Sequence, residues 1–123
     1  MLRDSFFSIK EMRANENGEA HFAVRLNTEH RIYEGHFPQM PVVPGVCTIQ
    51  MVKECLQTTR NEELQYTNII NCKFPAMIVP SMVQELLIDI TTIEEDGAIS
   101  MKASVKGDGH NFLSLKASLK RED

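Results

Sequence analysis

The sequence predicts an α+β domain in which a curved antiparallel sheet of six strands wraps around one central α-helix. Three observations carry this. Only one run, from Gly45 to about Arg60, places apolar residues at helical spacing. The other apolar residues alternate with polar ones at period two, the mark of half-buried strands. Turn signals at Asn15–Gly18, Glu94–Gly97 and Gly107–Gly109 separate those alternating runs. A helix that is apolar on several sides must be covered on several sides, and a curved sheet does that.

The elements follow in order. Residues 5–13 form a first, irregular strand, and Asn15-Glu16-Asn17-Gly18 turns the chain. Ala20, Phe22, Val24 and Leu26 then alternate with Glu19, His21 and Arg25, so the two runs predict a hairpin. Asn27–Arg31 is a polar loop. The helix carries Val46, Ile49, Val52 and Leu56, with Met51 and Cys55 widening the apolar stripe. Pro44 suits its first turn, where a missing N–H costs nothing, and Thr58–Asn61 ends it. In residues 66–74, Ile70, Cys72 and Phe74 face one way, and Asn71 and Lys73 the other. Pro75–Pro80 is an apolar loop. Residues 83–93 make a long strand. Ile99, Met101, Ala103 and Val105, and then Leu113, Leu115, Ala117 and Leu119, complete an antiparallel meander with one apolar face. Such a sheet has free edges and a lone helix has an apolar flank. A second copy would cover both, which predicts a dimer.

The 123 residues are read as a single domain, with chain enough for a modest core. A net charge of −4 speaks against a nucleic-acid surface, which needs clustered Lys and Arg. No apolar run approaches membrane-spanning length. The first residues carry an acid and no small-residue cleavage site, so no signal peptide is read and a cytoplasmic location is expected. Cys47, Cys55 and Cys72 are an odd set without CxxC spacing, which fits reduced thiols. His21, His30 and His110 are scattered without ligand spacing, so no metal is expected.

The stretch with chemistry in it is Gly35-His36-Phe37-Pro38-Gln39-Met40-Pro41-Val42-Val43-Pro44-Gly45-Val46. Each of its three prolines fixes its own φ and pushes the preceding residue toward extended backbone, so the loop is stiff. A stiff loop with an imidazole in it makes sense if that imidazole must be held in place.

Gly35-His36-Phe37-Pro38-x-x-Pro41-x-x-Pro44-Gly45-Val46 resembles the signature of the 3-hydroxyacyl-acyl-carrier-protein dehydratases, which have the hotdog fold. Phe74-Pro75-Ala76-Met77-Ile78-Val79-Pro80 is similar to a second segment of that family, with Ser81 where the family has glycine. The resemblance covers nearly the whole chain. It implies a homodimer with active sites near the subunit interface. It implies an acyl chain in an apolar tunnel, carried as a thioester of acyl carrier protein or coenzyme A. The implied reaction is loss of water to a trans-2-enoyl thioester, without metal or redox cofactor.

That chemistry explains the residue types. The α-proton of a thioester is a weak acid, so it needs a positioned base and help for the charge building on the carbonyl oxygen. His36 is the base candidate, because imidazole titrates near neutral pH. Backbone N–H groups at the helix start, around Gly45 and Val46, can meet the oxygen, and Gly45 lets substrate approach closely. Phe37 and Tyr33 complete the substrate-contacting set. Tyr33 packs beside the loop, with a hydroxyl able to line its entrance. Cys47 reads as inert core rather than as a nucleophile paired with His36. Met40, Met51, Met77 and Met82 could line an acyl pocket or simply fill gaps. Lys10, Arg13, Arg25, Arg31, Lys53, Arg60 and Lys73 are the cations available to an acidic carrier.

The resemblance implies a carboxylate six residues after the proline of Pro-Gly-Val, which protonates the leaving hydroxide from the partner subunit. That position here is Gln50, and Glu54 follows one helical turn later. An amide can steer a hydroxyl but has no proton to give at a useful pH. Three readings stay open. Glu54 could act through a water, or His36 could make both proton transfers while Gln50 steers. Alternatively, the chain could be a non-catalytic acyl-thioester binder, or the partner of a related active chain in a heterodimer. An acyl thioesterase is a further alternative, with Glu54 and Gln50 holding a water at the carbonyl. Glu54 could equally be a solvated or interface charge.

Overall fold

The structure is a computed structural model, and it describes residues 1–34 and 41–122. Its elements are β1 (Phe7–Ala14), β2 (Glu19–Leu26), a 3-10 turn (Arg31–Tyr33), α1 (Gly45–Arg60), β3 (Leu64–Lys73), β4 (Glu85–Glu95), β5 (Ala98–Gly107) and β6 (His110–Arg121). The strands form one antiparallel sheet in the order β1-β2-β4-β5-β6-β3. This is the hotdog architecture, with α1 against the concave face.

Period-two patterning decides which face is buried. Phe22 and Val24 of β2, Leu86, Ile88 and Ile90 of β4, Ile99 and Met101 of β5, and Leu113, Leu115 and Leu119 of β6 all point inward. They close on Cys47, Met51, Val52, Cys55 and Leu56 of α1. Two hairpin turns have both central residues at positive φ: Asp96 (53°) with Gly97 (81°), and Asp108 (50°) with Gly109 (77°). That is the type I′ geometry whose twist matches antiparallel strands. Among the described residues, no helix is long and apolar enough to cross a membrane.

The structure corrects several sequence expectations. The first strand begins at Phe7, because the Leu2 carbonyl accepts from the amides of Ser5 and Phe6 and folds that segment into a turn. β4 begins at Glu85, because the Val79 carbonyl takes the amides of Met82 and Val83. Pro44 is the N-cap of α1 rather than part of its first turn. Val46 is 74% exposed and leaves the apolar stripe, while Ile49 is only partly buried. The strand expected over 66–74 runs from Leu64 to Lys73 and does not keep one face buried. Register shifts between Tyr66 and Asn68, and between Ile69 and Asn71, break its alternation. Among the described residues it pairs with β6 alone, and Ile70 and Phe74 are 52% and 47% exposed.

Two features lock the ends of the sheet. Gly18, at φ +84°, crosses so close to β4 that an added Cβ would lie 2.3 Å from the Thr92 carbonyl oxygen. The Thr92 amide donates to the Gly18 carbonyl at 2.8 Å. Gly18→Ala therefore meets both an unfavourable φ and a backbone clash. It is expected to cost about 2 kcal/mol, read as a lower urea midpoint with an unchanged slope.

The second is a closed ring of four charges. Arg60 donates to Glu62 (2.6 Å) and Glu94 (2.6 Å), and Arg121 donates to the same two carboxylates (2.7 and 2.8 Å). The ring ties the end of α1 to the ends of β4 and β6. Bonds from Arg121 and then Arg60 hold the Glu94 carboxyl down at about 2. For Glu62, burial pushes upward, but the two arginines together outweigh it and hold it below its usual range. An unfolded glutamate takes up its proton near pH 4.3. Between there and about pH 2 the unfolded chain binds a proton that folded Glu94 refuses, so acid favours unfolding. The stabilisation is complete above that window and is lost as pH falls through it. In acid titrations followed by circular dichroism, the stability gap between the wild type and Glu94→Gln is expected to close as pH falls from 5 to 2.

Candidate functional site

The site gathers around the first half of α1. Pro44, at φ −61° and ψ 139°, caps the helix with backbone only. Its carbonyl accepts from the amides of Cys47 (2.9 Å) and Thr48 (3.2 Å). The N–H groups of Gly45 and Val46 precede this first bond and so have no acceptor within the helix. They point along the positive end of its dipole. Upstream, the Val43 amide donates to the Ile78 carbonyl at 2.9 Å, which ties the approach to the helix to the loop after β3.

The missing side chain of Gly45 has a definite use. A Cβ there would lie 2.8 Å from Cζ of Phe74. The Phe74 ring thus packs directly against the Gly45 Cα, where any side chain would collide with it. Val46, Phe74 and Met77 expose apolar surface here. No charge sits in the first turn of the helix.

Tyr33 ends the 3-10 turn, which His30 caps by accepting the Ile32 amide on Nδ1 at 3.1 Å. The Tyr33 ring packs on Phe6 at 5.7 Å and is 6% exposed. Burial first, and Cys47 second, push its hydroxyl up to about 12. That hydroxyl has no hydrogen-bond partner among the described residues. Burial also pushes the Cys47 thiol up, which disfavours the thiolate a nucleophile would need. Cys47, Cys55 and Cys72 are all free. Met51 lies in the core, whereas Met77 and Met82 are exposed. Residues 35–40, including His36, Phe37 and Met40, lie outside the described residues.

Gln50 and Glu54 are brought together on one face of α1. Gln50 Nε2 donates to Glu54 Oε2 at 2.8 Å. Glu54 is not a solvated charge. It is 1% exposed, and its carboxylate accepts the Leu2 amide on both oxygens (2.9 and 2.8 Å) and the Arg3 amide on Oε1 (2.7 Å). This anchor for the N-terminal segment has no signature in the sequence, since its donors are backbone amides more than fifty residues away. Arg3 adds a bond from Nη1 to the Thr58 hydroxyl at 3.1 Å. No group of three or more metal-ligating side chains is found among the described residues.

Comparison with known proteins bears on the family and the fold. The model of the ApeI-like family, described as ApeI dehydratase, matches residues 11–114. A 3-hydroxyacyl-[acyl-carrier-protein] dehydratase FabZ from Listeria monocytogenes is 26% identical over 117 residues, covering 86% of this chain and 80% of the relative. Among solved structures, the dehydratase heterocomplex ApeI:P from Xenorhabdus doucetiae superposes with a TM-score of 0.74. It is 24% identical and covers 92% of this chain and 96% of that one. A hypothetical thioesterase from Streptococcus pneumoniae, solved with coenzyme A, has a TM-score of 0.64 at 10% identity, covering 97% and 90%. The two structural likenesses establish the shared fold.

Proposed function

Because the chain belongs to the ApeI-like dehydratase family, we propose that it removes water from a 3-hydroxyacyl thioester to give a trans-2-enoyl thioester. His36 takes the α-proton. The N–H groups of Gly45 and Val46 receive the charge that develops on the thioester oxygen. Phe37 and Tyr33 flank the bound acyl group, and Tyr33 brings a buried hydroxyl with no partner among the described residues. The thioester is carried by acyl carrier protein or coenzyme A.

One observation carries the proton accounting. Glu54 is buried and its carboxylate is occupied by amide donors, while Gln50 has no acidic proton. Neither can protonate the leaving hydroxide. His36 therefore returns the proton it took from the α-carbon, and water leaves while Gln50 orients the 3-hydroxyl. The same occupancy argues against thioester hydrolysis, in which a carboxylate must activate a water.

A second reading follows from the same observation. In a heterodimer, a related chain could supply the acid that this chain lacks. The structural likeness to a protein described as a dehydratase heterocomplex supports it. In either pairing, the exposed Ile69, Ile70, Phe74 and Met77 offer the apolar surface for a partner. The test is to incubate the purified chain with 3-hydroxyacyl thioesters of several lengths, following enoyl absorbance and thiol release together. Enoyl formation without thiol release is expected. Thiol release without enoyl product would favour the thioesterase. Neither product, together with retained thioester binding, would favour the non-catalytic partner.

A further inference from the structure

What Gln50 can offer depends on which way its carboxamide faces, and Glu54 decides that. A carboxamide has a donor end, the NH₂, and an acceptor end, the carbonyl oxygen. The Glu54 carboxylate presents acceptors only. Its Oε1 receives the Arg3 amide, and the Leu2 amide bridges both oxygens. The remaining partner among the described residues is Gln50 Nε2, at 2.8 Å from Oε2. Turning the Gln50 amide over would press its carbonyl oxygen against Oε2, two acceptors with no hydrogen between them. Glu54 is 1% exposed, so water cannot relieve that conflict. The NH₂ end is thereby committed to Glu54, and Gln50, itself only half-buried, turns its carbonyl oxygen away from it.

We propose that Glu54 is a positioning residue that fixes Gln50 as a hydrogen-bond acceptor, and that Gln50 thereby selects acyl thioesters whose third carbon bears a donor. A 3-hydroxyl donates to that oxygen. A 3-ketone carries only lone pairs and meets it as acceptor against acceptor. This rests on the dehydratase reading for the placement of the acyl chain, but the orientation of Gln50 stands on the hydrogen bonds alone. The Leu2 and Arg3 amides take part, because they hold the carboxylate in the position that commits Gln50.

The test uses the full chain and a pair of ligands that differ only at the third carbon. These are 3-hydroxyacyl and 3-oxoacyl pantetheine analogues in which an amide replaces the thioester, so that nothing reacts. Calorimetry on the wild type is expected to show the 3-hydroxy ligand binding about tenfold more tightly. Glu54→Gln keeps an oxygen at the place of Oε1, where it accepts the Arg3 amide and the Leu2 amide, which loses its second acceptor, and puts an NH₂ at the place of Oε2, against Gln50. Gln50 must then reverse, and the preference is expected to invert in favour of the 3-oxo ligand. Loss of packing alone would weaken both ligands together and would not invert their order. Gln50→Ala is expected to bind the two equally.

Equal binding of both ligands to the wild type, or an unchanged preference in Glu54→Gln, would overturn the proposal while leaving the dehydratase reading intact. Failure of the 3-hydroxy ligand to bind, with or without the 3-oxo ligand, would overturn both. Independently of any ligand, the Gln50 side-chain NH₂ of the wild type is expected to show one slowly exchanging proton by NMR, assigned by its disappearance in Gln50→Ala. Rapid exchange of both protons would overturn the orientation, whether or not Glu54→Gln folds.

Discussion

On the proposed chemistry, His36→Ala is expected to lower enoyl-thioester formation by about 10²–10⁴-fold. The expected loss is large because His36 serves twice. It removes the α-proton, and it returns a proton to the departing hydroxide, since Gln50 and Glu54 cannot. In an enzyme with a separate acid, losing the base would leave one of the two transfers assisted; here it would leave neither. The effect should fall on kcat more than on KM, because the thioester head is held by helix amides that the substitution does not touch. Single-turnover measurement with a 3-hydroxyacyl thioester, beside a binding measurement with its unreactive amide analogue, separates the two. A fall in binding that matches the fall in rate would make His36 a contact rather than the base.

The second large effect is on stability. Glu54→Ala is expected to cost about 3–4 kcal/mol in urea unfolding, several times the typical effect of a surface substitution. The carboxylate is buried and accepts the amides of Leu2 and Arg3 as well as the Gln50 side chain. Alanine leaves those donors without an acceptor, and hydrogen bonds to a charged acceptor are the strong ones. The N-terminal segment should come away from α1, so that the Leu2 and Arg3 amides exchange freely with solvent. Phe6 and Phe7, both fully buried just beyond, should loosen with it. Glu54→Gln keeps an acceptor for the backbone amides and should cost less, about 1–2 kcal/mol. Equal costs for the two variants would show that charge, rather than acceptor geometry, holds the segment.

Much of the fold was legible because its signals are periodic and local. The helix spans Gly45–Arg60, as its apolar spacing and the Thr58–Asn61 stop predict, with Asn61 in the left-handed conformation that closes it (φ 52°, ψ 44°). The meander of β4, β5 and β6 follows from strict alternation and two Gly-containing turns. β3 was legible as a strand but not as a half-exposed edge, because its register shifts depend on the pairing with β6. Val46 looked like core because spacing cannot distinguish the first turn of a buried helix from its middle. At the site, counting from Pro44 finds Gln50, and one more turn finds Glu54. The partners of Glu54 could not be found that way, since backbone amides leave no trace in residue identity. The seat of Phe74 on Gly45 was hidden for a related reason: a glycine shows that something comes close, not what.

The central claim is that this chain carries a dehydratase frame whose own helix offers no proton donor. Exchanging the two side chains, as Gln50→Glu with Glu54→Gln, tests it most directly. The new glutamate would receive an N–H from the new glutamine, whose oxygen still accepts the Leu2 and Arg3 amides. The measurement is the rate of enoyl formation by the purified chain alone, exchanged against wild type, on one 3-hydroxyacyl thioester. A gain of about 10²-fold or more is the expected result. An exchanged protein that folds and binds the thioester but dehydrates it no faster than the wild type would contradict the account.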